Sequence, residues 1–364
     1  MIIKVQKRNG VNKVEKYNEF VKRIMKYYVK DNGNMVISPL SILLAAEMLA
    51  DATGGETKKQ IIDNLLGTED IAVKDTKDLH VANVMFGKTE LADGVKQSFV
   101  DLLKNKYRAD FITSDNIPVD VNRWVKKNTL GLIKEIMDSK SSAVFGIANA
   151  VAFKEKWANP FDIDEDETIM FKNADGTEKE IIPLQSWESR YVENESFEGF
   201  VKSYAHDNEY VFMAILPKDR EKNLSETLHV ADFEKLYRNI SCDYDVVVKM
   251  PAFNMESSYD VKEYFESIGI KEAFTDTADF SGMSDLRLKV DKISHKANID
   301  VNENGTVATA ATVIEVVCAG IPEFKEQKQI TFDRPFIYAI VDGKTGLPVF
   351  SGIINTLSCS AKRN

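Results

Sequence analysis

The sequence has few cysteines and no pattern that would join them. Its 364 residues include three, Cys242, Cys318 and Cys359, an odd number at wide spacings. A disulfide framework or a zinc knuckle needs paired cysteines or histidines at close spacings, so both are excluded. The four histidines also have no cysteine or carboxylate partner at the spacing of metal ligands. We therefore expect no metal and no cofactor.

Long apolar runs and long basic runs are also missing. No stretch of about eighteen apolar residues exists, so a transmembrane helix is not expected. The net charge is −10 and no basic block is present, which argues against nucleic acid as a partner. Residues 1–17 have no apolar core of signal-peptide length.

Signatures of catalysis are absent as well. The sequence contains neither a Gly-x-Ser-x-Gly elbow nor a His-Glu-x-x-His helix motif. Gly343-Lys344-Thr345 resembles the end of a phosphate-binding loop, but Tyr338 stands where that loop needs its first glycine. No residue pattern supports a serine–histidine–aspartate site. The chain is not expected to be an enzyme.

Two stretches have the apolar spacing of helices. Leu40–Ala52 is apolar almost all round, which predicts a buried helix, with Ser38 as its cap and Pro39 in its first turn. Asp120–Met137 has apolar residues on one face, which predicts an amphipathic helix.

Strand patterns are scattered through the later part of the chain. Phe336–Val341 and Val349–Ile354, joined by a turn at 342–346, predict a hairpin of buried strands. Helices early and strands late favour an α+β fold over an alternating α/β sheet. No repeat and no Pro/Gly/Ser-rich linker divides the sequence, which indicates one domain.

The stretch from Glu303 to Gly320 (ENGTVATAATVIEVVCAG) is long, β-branched and poor in bulky side chains. Read with the period of two of a strand, its small residues share one face: Thr306, Ala308, Ala310, Thr312 and Ile314. One interpretation is an ordinary sheet strand. The other is a loop that lies outside a sheet and later inserts into it as a strand. The small side chains on this face would let the segment enter a sheet without overpacking it.

Seven segments spread over the whole chain resemble motifs of one family, the serpins (serine protease inhibitors). They are 34–41 (NMVISPLS), 148–161 (ANAVAFKEKWANPF), 279–282 (DFSG), 295–297 (HKA), 302–306 (NENGT), 334–336 (RPF) and 348–352 (PVFSG). The resemblance implies a single domain over residues 1–364, with three β-sheets, eight to nine helices and an exposed reactive-centre loop at about 303–331. It also implies a suicide-substrate mechanism, in which a protease cuts the loop and the cut loop enters the central sheet.

The resemblance assigns roles to particular residues. The hinge of the loop consists of Glu303, Gly305, Thr306, Ala308, Ala310, Ala311 and Thr312. A polar cluster beneath the central sheet, where strands part, consists of Ser38, Ser41, Asn149 and His295. Trp157 matches a tryptophan near the point where the loop first enters the sheet. No catalytic residue is implied.

Counting the family's usual spacing from Glu303 places the attacked bond between Ala319 and Gly320. Cys318 is the nearest alternative. Alanine suits the shallow pocket of elastase-like enzymes, so an elastase-like or subtilisin-like protease is the expected partner. The segment after Gly320 is longer than in familiar relatives, and a forward shift of register would make Lys325 or Lys328 the attacked residue and a trypsin-like protease the target.

Other functions stay open beside inhibition of serine proteases. The chain could be a non-inhibitory serpin that carries a ligand or acts as a chaperone, or a cross-class inhibitor of cysteine proteases. The small inward face of the hinge favours an inhibitor, since a bulky or charged residue there would slow insertion. We expect a metastable monomer, secreted or at the cell surface, with any signal peptide absent from this chain. The glycosylation sequon at Asn304 lies in the hinge, which points to a bacterial source.

Overall fold

The computed structural model describes residues 13–30, 33–65, 79–205, 209–306 and 325–357. The chain divides into two compact units. The first unit comprises Met1–Phe20, Ser38–Ala152 and Glu256–Asn298, and the second comprises Val21–Ile37, Phe153–Met255 and Ile299–Asn364. The prediction of a single domain over residues 1–364 stays a prediction.

Eight α-helices lie within the described ranges. They are α1 (Lys13–Tyr28), α2 (Pro39–Ala52), α3 (Gly55–Asn64), α4 (Gln97–Leu102), α5 (Ile117–Asn128), α6 (Leu224–Thr227), α7 (Phe233–Arg238) and α8 (Lys262–Ser267). Short turns of 3-10 or π helix cover Thr89–Gly94, Leu103–Tyr107, Leu228–Val230 and Glu272–Phe274.

Eighteen strands accompany these helices in the described ranges. They are β1 (Met35–Ile37), β2 (Leu79–Gly87), β3 (Asp110–Thr113), β4 (Phe145–Phe153), β5 (Glu155–Lys156), β6 (Ile169–Lys172), β7 (Glu178–Ile181), β8 (Leu184–Glu188), β9 (Tyr191–Glu193), β10 (Phe197–Ser203), β11 (Tyr210–Pro217), β12 (Tyr244–Met250), β13 (Phe253–Asp260), β14 (Lys292–Asn302), β15 (Gly305–Thr306), β16 (Glu326–Thr331), β17 (Phe336–Asp342) and β18 (Pro348–Ile354). This mixture confirms the predicted α+β class.

The first unit contains strands β3, β2, β4 and β14 in that order. Strands β4 and β14 are parallel neighbours, paired from Gly146 with Lys292 to Ala152 with Asn298. Helix α5 packs its buried residues on the small side chains of β4 and the apolar ones of β2. Parallel strands covered in this way read as continuous apolar runs, and all nine residues of β4 are buried.

The second unit contains two further sheets. Strands β1, β18, β17, β11, β10 and β9 form one six-stranded sheet, and β16, β12 and β8 form a three-stranded one. Strands β6 and β7 form a two-stranded ribbon, which the prediction of three sheets did not include. The last residues of β14 pair with β15, and β15 pairs with β5. The predicted hairpin is confirmed as β17 and β18, which pair antiparallel.

Helix α2 confirms its sequence prediction. Ser38 is the N-cap, and its hydroxyl accepts a hydrogen bond from the backbone N–H of Ser41. Every residue of α2 except Asp51 is buried. An apolar helix of this kind gains its stability from packing on all sides rather than from an amphipathic face.

The predicted helix at Asp120–Met137 is wrong at both ends, since α5 covers Ile117–Asn128. Leu130 and Gly131 have φ of 52° and 78°, and left-handed residues end a right-handed helix. Ile133, beyond this point, is nevertheless buried in the core that α5 packs on. The apolar spacing over Asp120–Met137 therefore predicted correctly that residues are buried on both sides of this point, and predicted incorrectly where the helix begins and ends. Among the helices that the structure describes, none has the length and apolarity that a membrane span requires.

Candidate functional site

The first unit contains a group of five buried polar side chains, called the polar cluster here: Ser38, Ser41, Asn83, Asn149 and His295. Each is at most 1% exposed. The two serines lie at the start of α2, and the other three residues lie on β2, β4 and β14. Sequence reasoning placed four of the five together and missed Asn83. A single asparagine in an apolar strand gives no signal of its partners.

Asn149 is the centre of the polar cluster. Its Oδ1 accepts hydrogen bonds from Ser41 Oγ and from His295 Nδ1, the latter at 2.6 Å, and its Nδ2 donates to Asn83 Oδ1. The Ser38 backbone N–H donates to His295 Nε2 at 3.2 Å. Since Nε2 accepts this bond, the imidazole is neutral and carries its proton on Nδ1. One amide therefore ties β4 to β2, to β14 and to α2.

Burial keeps His295 neutral. Loss of water lowers the pKa of this imidazole from 6.5 to about 3, because a buried ring cannot solvate a positive charge. Tyr259 stacks on the ring with centroids 6.5 Å apart and planes 9° apart. A second ring proton would also point at the Ser38 N–H, where it could find no acceptor.

Acid should destabilise the protein through His295. The unfolded chain binds a proton on this ring below pH 6.5, whereas the folded protein does so only near pH 3. The unfolded state therefore binds more protons between these values, and stability falls as pH is lowered through them. We expect this residue to cost about 4–5 kcal/mol of unfolding free energy by pH 3.

The measurement is urea unfolding between pH 7 and pH 3.5 for the wild type and for His295→Gln. The difference between the two curves should shrink steadily as pH falls, because glutamine does not titrate. His229→Gln is the matched control, since His229 is exposed, and its curve should follow the wild type. A constant difference between wild type and His295→Gln over this range would contradict the assignment.

The second unit contains the three described residues of the predicted hinge, Glu303, Gly305 and Thr306. After β14 ends at Asn302, the chain turns through Glu303 and Asn304 and enters β15. There Thr306 pairs with Val301 of β14 and with Glu155 of β5. Gly305 and Thr306 are buried. The strand that they form, β15, pairs with β14 on one side and with β5 on the other.

Trp157 and Phe161 hold the turn 302–304, called the hinge turn here, through three hydrogen bonds, two donated by Trp157 and one by Phe161. Its indole Nε1 donates to the Asn302 carbonyl at 2.8 Å, and its backbone N–H donates to the Asn304 carbonyl at 3.1 Å. The Phe161 N–H donates to the Glu303 carbonyl at 2.9 Å. The turn 302–304 thus has all three of its carbonyls occupied by the 157–161 segment. The structure places Trp157 against the turn that precedes β15, and its role in loop entry stays a prediction.

Tyr204 contacts the buried side chain of Thr306. Its hydroxyl lies 2.7 Å from Thr306 Oγ1, and its ring stacks on Trp157 with centroids 4.6 Å apart. Burial raises the pKa of Tyr204 well above 10, so the hydroxyl keeps its proton for this bond. Sequence reasoning missed Tyr204, because the apolar strand it follows shows no motif.

The register between β14 and β15 indicates which face of a longer β15 would be buried. Residues 293, 295, 297, 299 and 301 of β14 are buried, and Thr306 lies directly opposite Val301. Residues opposite each other in an antiparallel pair point to the same face. If the hinge extended along β14 in this register, Ala308, Ala310 and Thr312 would face Ile299, Ala297 and His295. The small residues would then all lie on the buried side.

The predicted cleavage site lies outside the described residues. This holds for Ala319, Gly320 and Cys318, and for the hinge residues Ala308, Ala310, Ala311 and Thr312. The predicted loop, about 303–331, includes the strands β15 (Gly305–Thr306) and β16 (Glu326–Thr331), and its bounds stay a prediction. The segment that joins these two strands is residues 307–325.

The two lysines considered as alternative cleavage residues are both described. Lys328 lies in β16, which pairs with β12. Its Nζ is 4.1 Å from the ring centroids of both Tyr191 and Tyr244. Lys325 Nζ donates to the Cys242 carbonyl at 2.7 Å. A residue fixed in a sheet cannot enter a protease cleft without leaving its strand, so the position of Lys328 argues against the forward shift of register.

The described residues contain no group of three or more His, Cys, Asp or Glu side chains that could hold a metal ion. Cys242 is an exposed free thiol. The other two cysteines, Cys318 and Cys359, lie outside the described ranges.

Comparison with known proteins gives consistent matches over nearly the whole chain. The family model "Serpin (serine protease inhibitor)" matches residues 15–357. Serpin-Z10 of Arabidopsis thaliana is 29% identical over 380 residues, which cover 93% of this chain and 96% of that protein. Alpha-1-antiproteinase S of Cavia porcellus is 28% identical over 348 residues, which cover 88% of this chain and 84% of that protein.

One solved protein matches in two states. The thermophilic serpin tengpin in its native state has a TM-score of 0.82 at 30% identity, and the match covers 97% of this chain and 96% of that one. Tengpin in its latent state has a TM-score of 0.75 at 28% identity, and the match covers 97% of this chain and 100% of that one. The fold is therefore shared with a protein that has been solved in two conformations.

Proposed function

The chain belongs to the serpin family and has the serpin fold, and we propose that it inhibits a serine protease once, as a suicide substrate. The family is one of protease inhibitors, not of catalysts. The chemistry of the reaction would then come from the protease. This chain would contribute a cleavable bond and a conformational change.

The covalent step uses the proposed bond between Ala319 and Gly320. The serine hydroxyl of the protease attacks the Ala319 carbonyl carbon and passes its proton to the protease's own base. The C–N bond to Gly320 breaks, and the Gly320 amine leaves with that proton. An ester joins the protease serine to Ala319. Inhibition requires that the loop moves before water reaches this ester.

The observation that carries the proposal is the hinge strand β15. It already lies between β14 and β5, with Thr306 buried and the turn 302–304 fixed. After cleavage, β15 has only to lengthen along the register it holds now. About fourteen residues at about 3.3 Å each would carry Ala319 roughly 45 Å, and the attached protease would move with it.

Insertion must separate β4 from β14, and the polar cluster lies across that pairing. Parallel strands are about 4.8 Å apart, and an inserted strand doubles that distance. The bond from His295 Nδ1 to Asn149 Oδ1, now 2.6 Å, cannot span the wider gap. We infer that the polar cluster holds the sheet closed before cleavage. Thr312, which the register brings to His295, would supply a hydroxyl to the opened site.

The class of target follows from Ala319 and its neighbours. Alanine fills a shallow pocket, and Val316 and Val317 before it suit the same apolar cleft. We propose an elastase-like or subtilisin-like protease as partner. The protein would act as a monomer, outside the cell or on its surface.

The test mixes the protein with elastase, trypsin, subtilisin and papain in turn and resolves the products on a denaturing gel. We expect a band with the summed mass of inhibitor and elastase, because the ester survives denaturation. The variant Ala319→Lys should form that band with trypsin and lose it with elastase. Cys318→Ser is the matched control and should keep the preference for elastase.

Three other results would overturn parts of the proposal. Clean cleavage by every protease, with no joined band, would mean a non-inhibitory serpin. A joined band with papain alone would mean a cross-class inhibitor of cysteine proteases. If Ala319→Lys left the preference unchanged, the attacked bond would lie elsewhere.

A further inference from the structure

Lys202 is a buried cation close to the hinge in the second unit. It lies on β10, and its side chain is 2% exposed. Lysine is almost never buried to this degree without a counter-charge, and here Nζ lies 2.5 Å from Glu188 Oε1 on β8. Glu188 is itself 12% exposed. A cavity of about 250 Å³ adjoins the pair and is lined also by Arg190 and Asp245.

The ammonium group of Lys202 faces the two aromatic rings that flank the hinge contacts. Its Nζ is 4.2 Å from the ring centroid of Phe161 and 5.9 Å from that of Trp157. The two rings meet edge to face with centroids 5.6 Å apart. A cation at these distances is attracted to the ring faces, and the attraction is strongest where water is excluded. Lys202 therefore lies within the distance of a cation–π contact from both rings.

Those same two residues hold the hinge turn. The Phe161 N–H binds the Glu303 carbonyl, and Trp157 binds the carbonyls of Asn302 and Asn304. A continuous set of contacts thus runs from Glu188 through Lys202 and the ring pair to the turn at which the inserting strand begins.

The turn should stay in place while the loop inserts. Strand β15 is already antiparallel to β14, so an inserting strand lengthens away from the turn without moving it. A firmly held turn keeps the register that brings the small inward side chains to the buried face. A loose turn would let the strand start in other registers, and each failed start gives water more time to hydrolyse the ester.

We propose that Lys202, paired with Glu188, is a positioning residue that fixes the hinge turn and so sets how the acyl-enzyme divides between trapping and hydrolysis. The effect on trapping and hydrolysis of the acyl-enzyme rests on the proposed inhibitory function. The fixing of the turn does not, and it can be measured in the intact protein alone.

The experiment compares Lys202→Met, the double variant Lys202→Met/Glu188→Gln, and Lys202→Arg. Lys202→Met alone removes the ion-pair partner of the Glu188 carboxylate and leaves it with Arg190 as a nearby cation, so its melting temperature should fall. The double variant removes both charges, so its melting temperature should return close to that of the wild type. Lys202→Arg keeps a cation over the rings, and the adjoining cavity has room for the larger head group.

Two readouts separate positioning from stability. The first is amide hydrogen exchange of the peptide 299–306 in the intact protein. The exchange rate should be about tenfold faster in the double variant, because a desolvated contact between a cation and two rings is lost, and it should stay near the wild-type rate in Lys202→Arg.

The second readout is the number of inhibitor molecules consumed per elastase molecule inhibited. It should rise about threefold or more in the double variant, again through loss of that contact, and should be rescued in Lys202→Arg.

The possible failures are distinguishable. Unchanged exchange at 299–306 in the double variant would overturn the positioning role, whatever the protein inhibits. Faster exchange with an unchanged number of inhibitor molecules per protease would overturn the link to trapping. If the wild type formed no complex with any protease, the proposed function would fail, and the exchange data would still decide whether Lys202 fixes the turn.

Discussion

Cleavage of the Ala319–Gly320 bond is expected to raise the melting temperature of the protein by about 20 °C. Insertion replaces the single pairing of β4 with β14 by two pairings, one on each side of the new strand. About ten additional backbone hydrogen bonds at about 1 kcal/mol each make roughly 10 kcal/mol. This is comparable with the whole stability of an ordinary domain, and about 2 °C per kcal/mol is typical for a chain of this size.

The measurement is differential scanning calorimetry of intact protein and of the fraction that a stoichiometric amount of elastase cuts without being trapped, separated from the complex by size-exclusion chromatography, with the cut confirmed by mass spectrometry. The native state would then be a kinetic trap, held by the closed sheet rather than by its free energy. Equal melting temperatures for cut and intact protein would show that cleavage releases no stored free energy, and the inhibitory mechanism would lose its driving force.

The variant Ala310→Glu is expected to convert the inhibitor into a substrate. Continuing the register of β14 and β15 brings residue 310 opposite Ala297, which is fully buried. A glutamate there would have to enter a site without a counter-charge, which costs several kcal/mol. Insertion should slow while attack on the bond is unaffected. The number of inhibitor molecules consumed per protease should rise about tenfold or more, because each such cost slows insertion relative to hydrolysis.

Thr309→Glu is the matched control for this variant. It introduces the same charge one residue away, where the register brings it opposite Asn298 on the partly exposed face of β14. It should inhibit as the wild type does, and after cleavage it should keep the rise in melting temperature that Ala310→Glu loses. Equal effects of the two glutamates would contradict the assigned inward face.

Four of the five residues of the polar cluster could be grouped from the sequence, and the fifth could not. Ser38, Ser41, Asn149 and His295 were assigned together because separate motifs resemble one family, and no local pattern links residues 38 and 295. The structure explains the link, because β4 and β14 are parallel neighbours with Asn149 opposite His295. Asn83 completes the cluster and could not be predicted, since nothing in β2 marks a polar partner for Asn149.

The hinge was predicted in composition but not in structure. Its small residues indicated a segment able to enter a sheet, and the alternation of burial along β14 supports the inward face that the sequence pattern predicted. The sequence did not indicate that Gly305 and Thr306 already form β15. That depends on Trp157 and Tyr204, which come from distant segments and meet the hinge only in the folded chain.

Charge pairs and helix ends were the least predictable features. Lys202 and Glu188 are fourteen residues apart and read as ordinary strand residues in the sequence, because charged side chains are normally exposed. Helix α5 ends early because Leu130 and Gly131 take left-handed conformations, while the apolar spacing continues past them. Periodicity reports which residues are buried, and backbone conformation decides which of them are helical.

The most direct test of insertion is amide hydrogen exchange of the peptide 307–318 in protein that has been cut between Ala319 and Gly320. If the cut loop becomes a central strand, its amides should be protected to the same degree as those of β14, and β4 should stay protected as well. If peptide 307–318 exchanges as fast as an unstructured peptide in the cut protein, no strand has been added and the proposed mechanism is contradicted.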